Sequence, residues 1–204
     1  MERTALQKLA DWDSNKRKKP LIVWGARQVG KTYLILELFA KKYYPNRYVY
    51  VDCKKEDEIR DFCSGTANAE KIIEYISLRK GQQINEQTLL IFDEVQEVPR
   101  ALSSLKYFYE NTPEYHIVCA GSLLGIALHE GTSFPVGKVD FLKLYPLSFK
   151  EFLMATGKER FAELLNKQDY PMITSFKQTF IDALKQYYFV GGMPEAVQSF
   201  AENK

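Results

Sequence analysis

The sequence contains few of the residues from which disulfide frameworks and metal clusters are built. Its 204 residues include three cysteines, Cys53, Cys63 and Cys119, and two histidines, His116 and His129. The cysteines are odd in number and form no C-x-x-C pair, which predicts free thiols in a reducing compartment. Two histidines so far apart in the sequence do not favour a histidine-based metal site.

The sequence also lacks long hydrophobic runs and a large excess of one charge. No apolar stretch approaches membrane-spanning length, and the first residues lack the apolar segment of a signal peptide. We therefore expect a cytoplasmic protein with no membrane partner. The formal net charge is only +2, with acids and bases interspersed, so the composition gives no general argument for nucleic-acid binding.

Five strand-like segments alternate with helix-like segments up to about Pro146. In chain order the strand-like segments are LIVW, RYVYVDC, QTLLIFDE, YHIVCAGS and VGKVDFLKLYP. Such alternation predicts an α/β fold with a parallel sheet whose faces are covered by helices. From Leu147 onward the pattern is helical only. We therefore predict a sheet-containing core at residues 1–146 and a helical lid at residues 147–204.

The segment LIVWGARQVGKTYLILELF carries the clearest chemical motif. Gly25 is followed after four residues by Gly30-Lys31-Thr32, the complete pattern of a phosphate-binding loop. In such a loop the glycines let backbone N–H groups surround the phosphates, Lys31 reaches the β- and γ-phosphates, and Thr32 ligates Mg²⁺. A strand enters the loop and a helix leaves it, as the motif requires. The predicted nucleotide-binding residues are Gly25, Ala26, Arg27, Gln28, Val29, Gly30, Lys31, Thr32 and Tyr33.

The third strand-like segment ends in two adjacent carboxylates, Asp93 and Glu94. Asp93 is predicted to hold Mg²⁺ with Thr32, and Glu94 to polarise the water that attacks the γ-phosphate. Two acids at a strand end are often only a solvated terminus, but after a phosphate-binding loop they indicate nucleotide hydrolysis. Two alternatives stay open for each of the nearby polar residues: Ser122 reaches the γ-phosphate or is a small turn residue, and Gln96 senses that phosphate or caps a turn.

The order of the strands follows from the separation of the two motifs. In nucleotide-binding sheets of this kind, an extra strand lies between the strand before the loop and the strand before the acids. YHIVCAGS fits that position. We therefore predict a five-stranded, mainly parallel sheet in the order 5-1-4-3-2, with the loop Gly25–Thr32 at the switch point.

A guanine-specific site is a competing interpretation, because Asn166-Lys167-Gln168-Asp169 spells N-K-x-D. That motif should follow a buried strand, whereas here it follows ERFAELL, which has a helical pattern. The D-x-x-G switch is also missing after Asp93. We interpret N-K-Q-D as a coincidence and predict ATP as the nucleotide.

Several motifs together resemble a family of bacterial and archaeal AAA+-type ATPases. They are PLIVWGARQVGKTYL, LLIFDEVQEVPRALSSLKYFYE, AGSLLGIAL, SFPVGKVDFLKLYPLSFKEFL and VGGMPEAV, in that order. The resemblance covers nearly the whole chain. It implies the three-layer P-loop NTPase fold, ATP and Mg²⁺ as cofactors, and slow ATP hydrolysis with Glu94 as the catalytic glutamate beside the metal-binding Asp93.

The resemblance also implies a cation that stabilises the transition state. Many relatives have Gly-Arg where this chain has Gly137-Lys138, so Lys138 keeps the charge but loses the bidentate fork. Arg100 and Arg27 are the other candidates for this role. The family's C-terminal domain follows the motif GGMPEAV, so the chain is expected to be a piece that holds the ATPase module. We expect it to be largely monomeric, and to turn over below about 1 s⁻¹, while a homo-oligomer of the full-length protein stays open.

The turn GGMPEA resembles the lid turn that closes over the base in related ATPases. Gly191 and Gly192 permit unusual backbone angles, and Pro194 suits the first turn of a helix. An ordinary turn between helices is an equally good interpretation.

Two alternatives to an ATPase also remain, a nucleotide-binding module that does not hydrolyse and the motor of a nucleic-acid-processing protein. Glu94 argues against the first, and only family analogy supports the second.

Overall fold

The computed structural model describes residues 1–122 and 137–203, apart from the side chains of residues 99–101. Within these residues five strands form one sheet: β1 (Leu21–Trp24), β2 (Tyr48–Asp52), β3 (Leu89–Asp93), β4 (His116–Gly121) and β5 (Asp140–Lys143). All neighbours pair in parallel, in the order β2-β3-β4-β1-β5. This is the predicted order read from the other edge, and β4 separates β1 from β3 as expected. The predicted P-loop NTPase fold is confirmed.

The burial of the strands explains their sequence patterns. All five residues of β3 are buried, because it lies inside the sheet with both faces covered, and it reads as one continuous apolar run. In β2, at the edge, burial alternates with partial exposure, which matches the alternating pattern YVYVD. Val49 and Val51 of β2 and Leu90 and Phe92 of β3 join the same hydrophobic core as the helices that follow them.

The described helices occur where the sequence shows helical spacing and end signals. They are α1 (Ala5–Ser14), α2 (Lys31–Tyr33), a π-helical segment (Leu34–Ala40), α3 (Lys41–Tyr43), α4 (Asp57–Gly65), α5 (Ala69–Lys80), α6 (Pro99–Asn111), α7 (Phe149–Ala155), α8 (Glu159–Lys167), α9 (Tyr170–Ser175), α10 (Lys177–Val190) and α11 (Pro194–Glu202). A 3₁₀ turn spans Val95–Glu97. In α5, for example, the Asn68 side chain accepts from the backbone N–H of Lys71, and Gly81 ends the helix in the left-handed conformation.

The helix after the phosphate-binding loop departs from regular geometry. The sequence predicts one helix from about Lys31 to Lys42, and the chain is helical to Tyr43. Its middle, Leu34–Ala40, is a π-helix, which was not predicted. Leu34, Ile35 and Phe39 from this segment are buried. Apolar spacing alone does not distinguish a π-helix from an α-helix, because both place such residues on one face.

The chain divides into two compact units, which we call the sheet unit and the helical unit. The sheet unit comprises Leu6–Arg27 and Lys31–Leu144, and the helical unit comprises Met1–Ala5, Gln28–Gly30 and Tyr145–Lys204. Three residues of the phosphate-binding loop and the first five residues of the chain therefore belong with the C-terminal helices, which the sequence pattern did not predict. The division into a core at 1–146 and a lid at 147–204 stays a prediction.

Inside the helical unit, a close backbone contact explains one glycine of the GGMPEA turn. The backbone N–H of Leu147 donates to the Gly192 carbonyl oxygen at 2.6 Å. A Cβ atom on Gly192 would lie 2.3 Å from the Leu147 carbonyl oxygen, so no other residue fits there without a shift of the backbone. Gly191 has a φ of +77°, which also favours glycine.

Other expectations concern cysteines, membranes and the N-K-Q-D sequence. The three cysteines are free and buried. No helix in the described parts of the chain is both long and apolar enough to cross a membrane. Lys167 ends α8 and Asp169 caps α9 by accepting from Met172. N-K-Q-D thus joins two helices and follows no strand, which supports its interpretation as a coincidence.

Candidate functional site

The predicted motif residues of the sheet unit lie at the carboxyl end of the sheet. β1 leads into Gly25, β3 ends at Asp93 and β4 leads into Ser122. The register places Trp24 beside Gly121, and Phe92 beside Cys119. Because parallel strands all end at the same edge, residues far apart in sequence meet there.

Lys31 is buried although it carries a charge, with 6% of its surface exposed. Its ammonium donates to two carbonyl oxygens of its own loop, those of Ala26 at 2.8 Å and Gly25 at 3.3 Å. Burial lowers the pKa of Lys31, and the carboxylates of Glu94 and Asp93 offset part of this effect. The lysine thus lies inside the loop, with its charge balanced by backbone dipoles and by acids that it does not touch.

Thr32 and Asp93, the two predicted metal ligands, are in direct contact. The Thr32 hydroxyl donates to Asp93 Oδ2 at 2.6 Å. Asp93 is buried and also accepts from the backbone N–H of Glu94 and, at 3.0 Å, from the hydroxyl of Tyr50 on β2. Burial and the Asp93 charge raise the pKa of Tyr50, so Tyr50 remains a protonated donor. These oxygen ligands are of the type that Mg²⁺ prefers.

Glu94 is held beside this pair by two polar residues. The Glu94 carboxylate accepts from the Gln96 amide and, at 3.4 Å, from the Ser122 hydroxyl. Its backbone is in the left-handed region, with φ 51° and ψ 42°. Such a conformation costs a non-glycine residue about 1–2 kcal/mol and is found disproportionately at functional sites. Gln96 Oε1 is buried and has no hydrogen-bond partner within the described residues.

Lys138 lies away from these residues. Lys138 pairs with Glu110 at 3.1 Å and precedes β5, whose Asp140 pairs with Leu21 at the start of β1. It therefore lies at the amino end of the sheet, opposite the loop, and its predicted catalytic role could only be played towards a neighbouring chain. The Arg100 side chain lies outside the described residues. Arg27 is exposed next to Gly25 and Ala26.

The helical unit holds the remaining residues of the loop, Gln28–Gly30. The Arg3 guanidinium donates to the Val29 carbonyl at 2.8 Å, and Gly30 has a φ of +87°. Tyr33 follows in the sheet unit and is 41% exposed. No group of three or more histidine, cysteine or acidic residues able to hold a metal was found among the described residues.

Sequence reasoning missed Tyr50, Arg3 and the buried partner of Arg3, Glu151. Tyr50 reads only as one aromatic residue in an alternating strand. The one local signal for Glu151 is S-F-K-E, Ser148 to Glu151, a capping-box pattern that the structure forms in full. Nothing in the local sequence of Arg3 indicates a partner more than one hundred residues away.

Comparisons with known proteins found sequences and structures similar to this chain. The chain is 24% identical, over 206 aligned residues, to an uncharacterized protein of Methanocaldococcus jannaschii. The alignment covers 94% of this chain and 41% of that protein. The Walker-type ATPase of Pyrococcus abyssi superposes with a TM-score of 0.56 at 16% identity, covering 96% of this chain and 65% of that one. The Orc1 protein of Aeropyrum pernix, solved in complex with DNA, has a TM-score of 0.46 at 15% identity, with 78% and 50% covered.

These relatives are longer than this chain, which spans less than two thirds of either of the first two. The Pyrococcus structure supports the P-loop fold. A family profile described as an AAA domain matches residues 17–153, more than half of the chain, and includes the phosphate-binding loop and the acidic pair. The chain therefore belongs to the AAA domain family of P-loop ATPases.

Proposed function

We propose that this chain binds ATP together with Mg²⁺ and hydrolyses the γ-phosphate. The observation that carries the proposal is the 2.6 Å contact between Thr32 and Asp93. It joins the phosphate-binding loop to the acidic strand end, and Glu94 is the next residue along. A binding module without hydrolysis has no use for a second carboxylate in a strained backbone conformation.

Each residue of the loop edge has a distinct role in this proposal. Thr32 and Asp93 would hold Mg²⁺, which supplies positive charge to the β- and γ-phosphates when bound. Tyr50 keeps the Asp93 carboxylate in place through its hydroxyl. Lys31 exchanges its two carbonyl acceptors for phosphate oxygens, which are stronger partners for an ammonium group.

Glu94 acts on the attacking water. In hydrolysis the water oxygen forms a bond to the γ-phosphorus, the bond from this phosphorus to the β–γ bridging oxygen breaks, and ADP and phosphate are left. The Glu94 carboxylate orients the water and accepts its proton. Ser122 and Gln96 hold that carboxylate. The buried Gln96 Oε1, which has no partner within the described residues, suits the second hydrogen of the water.

The test is the turnover of a Glu94→Gln variant. We expect ATP affinity to be kept and kcat to fall at least tenfold, since help of this kind is typically worth about 10²–10⁴. Glu97→Gln is the matched control, because Glu97 is an exposed acid in the same turn. Unchanged turnover in Glu94→Gln would remove its catalytic role. A wild-type protein that binds ATP without releasing phosphate would support the non-hydrolysing alternative.

We also propose that residues 147–204 act as a lid and that Lys138 serves a neighbouring chain. Lys138 lies at the amino end of its own sheet and is 43% exposed, so it is available to another copy. If Lys138 acts in the site of a neighbouring chain, the rate of ATP hydrolysis per molecule should rise with protein concentration and fall in Lys138→Ala. An ATP hydrolysis rate above about 1 s⁻¹ that does not depend on protein concentration would mean that the active site is complete in one chain.

A further inference from the structure

Arg3 is a buried cation at the start of the helical unit, with 6% of its surface exposed. Its guanidinium makes three hydrogen bonds in three directions. Nη1 donates to the carbonyl oxygen of Val29 at 2.8 Å, Nη2 to that of Tyr145 at 2.6 Å, and Nε to the Glu151 carboxylate at 3.2 Å. One side chain thus joins the phosphate-binding loop to the segment that begins the C-terminal helices.

Glu151 holds Arg3 in this orientation and is itself fully occupied. Its Oε1 accepts from Arg3 and from the backbone N–H and hydroxyl of Thr4, at 2.8 and 3.0 Å. Its Oε2 accepts from the backbone N–H and hydroxyl of Ser148. Burial alone would raise the pKa of Glu151, but the Ser148 and Thr4 backbone donors and the Arg3 charge outweigh it and lower the pKa. The carboxylate is therefore ionised, and the pair with Arg3 carries no net charge.

The same guanidinium also lies beside Gly30, at an ordinary van der Waals distance. A Cβ atom on Gly30 would lie 3.5 Å from Arg3 Nη1 and 3.7 Å from Cγ of Pro194. The loop segment is thus bounded by the N-terminal arginine and by the proline of the GGMPEA turn. Gly30 has a backbone φ of +87°, in the region that favours glycine.

We propose that Arg3 is a positioning residue for the phosphate-binding loop, holding Gln28–Gly30 in the conformation that receives the phosphates. Because Glu151 neutralises the guanidinium, Arg3 acts through geometry and contributes little to the field at the phosphates. A lysine keeps the charge but offers no planar fork, so it cannot reach three acceptors in different directions. The loop conformation is therefore tied to the C-terminal helices through one residue, and a displacement of Glu151 would change nucleotide affinity.

This inference rests on the proposed nucleotide binding, and its test separates the two. Affinity for a non-hydrolysable ATP analogue with Mg²⁺ is measured by calorimetry in wild type, Arg3→Met, Arg3→Lys and the control Arg17→Met, whose side chain is exposed. We expect Kd to rise about tenfold in both Arg3 variants, the size expected for losing a hydrogen bond made by a charged group. At saturating ATP, kcat should change less than twofold, and Arg17→Met should match wild type.

Two outcomes distinguish positioning from a purely structural role. If the Arg3 variants lose thermal stability but bind the analogue within twofold of wild type at a temperature where they are folded, the proposal is wrong. If Arg3→Lys restores affinity, Arg3 acts by charge and the geometric argument is wrong.

Hydrogen–deuterium exchange in nucleotide-free protein gives a second measurement. Amides of residues 25–32 should exchange faster in Arg3→Met and Arg3→Lys than in Arg17→Met, while those of β3 should not change. Equal exchange in the loop would overturn the inference even if wild type bound no nucleotide. Absent binding by wild type, with faster loop exchange in the Arg3 variants, would count against the proposed function alone.

Discussion

The two units differ in how their buried charged side chains are compensated. Within the described residues four charged side chains are buried, Arg3 and Glu151 in the helical unit and Lys31 and Asp93 in the sheet unit. Arg3 and Glu151 pair directly, and the Glu151 carboxylate accepts from four donors besides. Lys31 and Asp93 do not pair, and Lys31 donates only to carbonyl oxygens of its own loop in the described contacts.

This difference separates two charges that neutralise each other within the protein from two charges that we propose bind a ligand. Removing a charge from water is costly unless a partner compensates it, and a neutral, fully bonded pair meets this condition within the protein. Lys31 and Asp93 are compensated in the described contacts by uncharged partners: two carbonyl oxygens for Lys31, and two hydroxyls and one backbone N–H for Asp93. An anion and a cation brought together, such as a nucleotide phosphate with Mg²⁺, would satisfy both.

The largest expected effect is on binding, in Lys31→Ala. Without the ammonium the phosphates lose their central cation, and we expect Kd for ATP to rise about 1,000-fold or beyond detection, roughly 4 kcal/mol. Lys41→Ala is the matched control, because Lys41 follows the same helical run but is exposed and paired with Glu37. Calorimetric titration measures both. An affinity within tenfold of wild type would mean that the Lys31 ammonium is not the main cation for the phosphates.

The next effect is on stability, in Glu151→Ala. This change leaves Arg3 buried without its carboxylate, which typically costs about 3–5 kcal/mol. Urea unfolding should show a lower midpoint with an unchanged slope. Glu163→Ala on α8 is the control, since Glu163 is exposed and should have almost no effect. A loss below about 1 kcal/mol would place the Arg3–Glu151 pair with ordinary surface ion pairs.

A smaller effect is expected in Tyr50→Phe, which removes one donor to Asp93 and keeps the ring. A hydrogen bond from a hydroxyl to a charged carboxylate contributes about 1.5–3 kcal/mol, so the Mg²⁺ concentration for half-maximal activity should rise at least about tenfold, with little change in ATP affinity at saturating Mg²⁺. Tyr48→Phe, two residues earlier on the same strand, is the control. If both variants behave as wild type, the Tyr50 hydroxyl does not support the metal ligands.

The smallest effect concerns acid. The pKa of Glu151 is lowered in the folded protein, so its contribution to stability is present above its unfolded pKa of about 4.5 and disappears as the pH falls through the folded value. In Glu151→Gln the free energy of unfolding should therefore change less with pH below about 4.5 than in wild type. Urea unfolding between pH 3 and 6 measures the difference. Parallel curves would show that Glu151 is not stabilised as the anion.

The sheet and its motifs could be predicted because their signals are local. The continuous apolar run of β3 reflects burial on both faces, and the spacing of Gly25, Gly30 and Lys31 reflects backbone geometry around a phosphate. The strand order then followed from the need for one strand between the two motifs. Asp93 and Thr32 are in contact, because the strand that ends at Asp93 and the strand that leads to Thr32 end at the same edge of the sheet. Their role as metal ligands stays a prediction.

Other features had no such signal. The π-helical segment Leu34–Ala40 has the apolar spacing of an ordinary helix, so its hydrogen-bond pattern was not foreseen. Lys138 was assigned by resemblance to Gly-Arg in relatives, but the register of β5 places it at the opposite edge from the loop. The positions of strands relative to one another decide such cases, and residue spacing within one segment carries no information on them.

The residues of this chain therefore specify the P-loop, the acidic pair and the alternation that builds a parallel sheet, because each depends on neighbours within about a dozen positions. Tertiary structure decided the rest. Arg3 donates a hydrogen bond to Glu151, 148 positions away in the sequence, and Tyr50 donates one to Asp93, 43 positions away. Such long-range contacts depend on which elements pack together. The side chains that contact Asp93 and the phosphate-binding loop could therefore be recognised only from the tertiary structure.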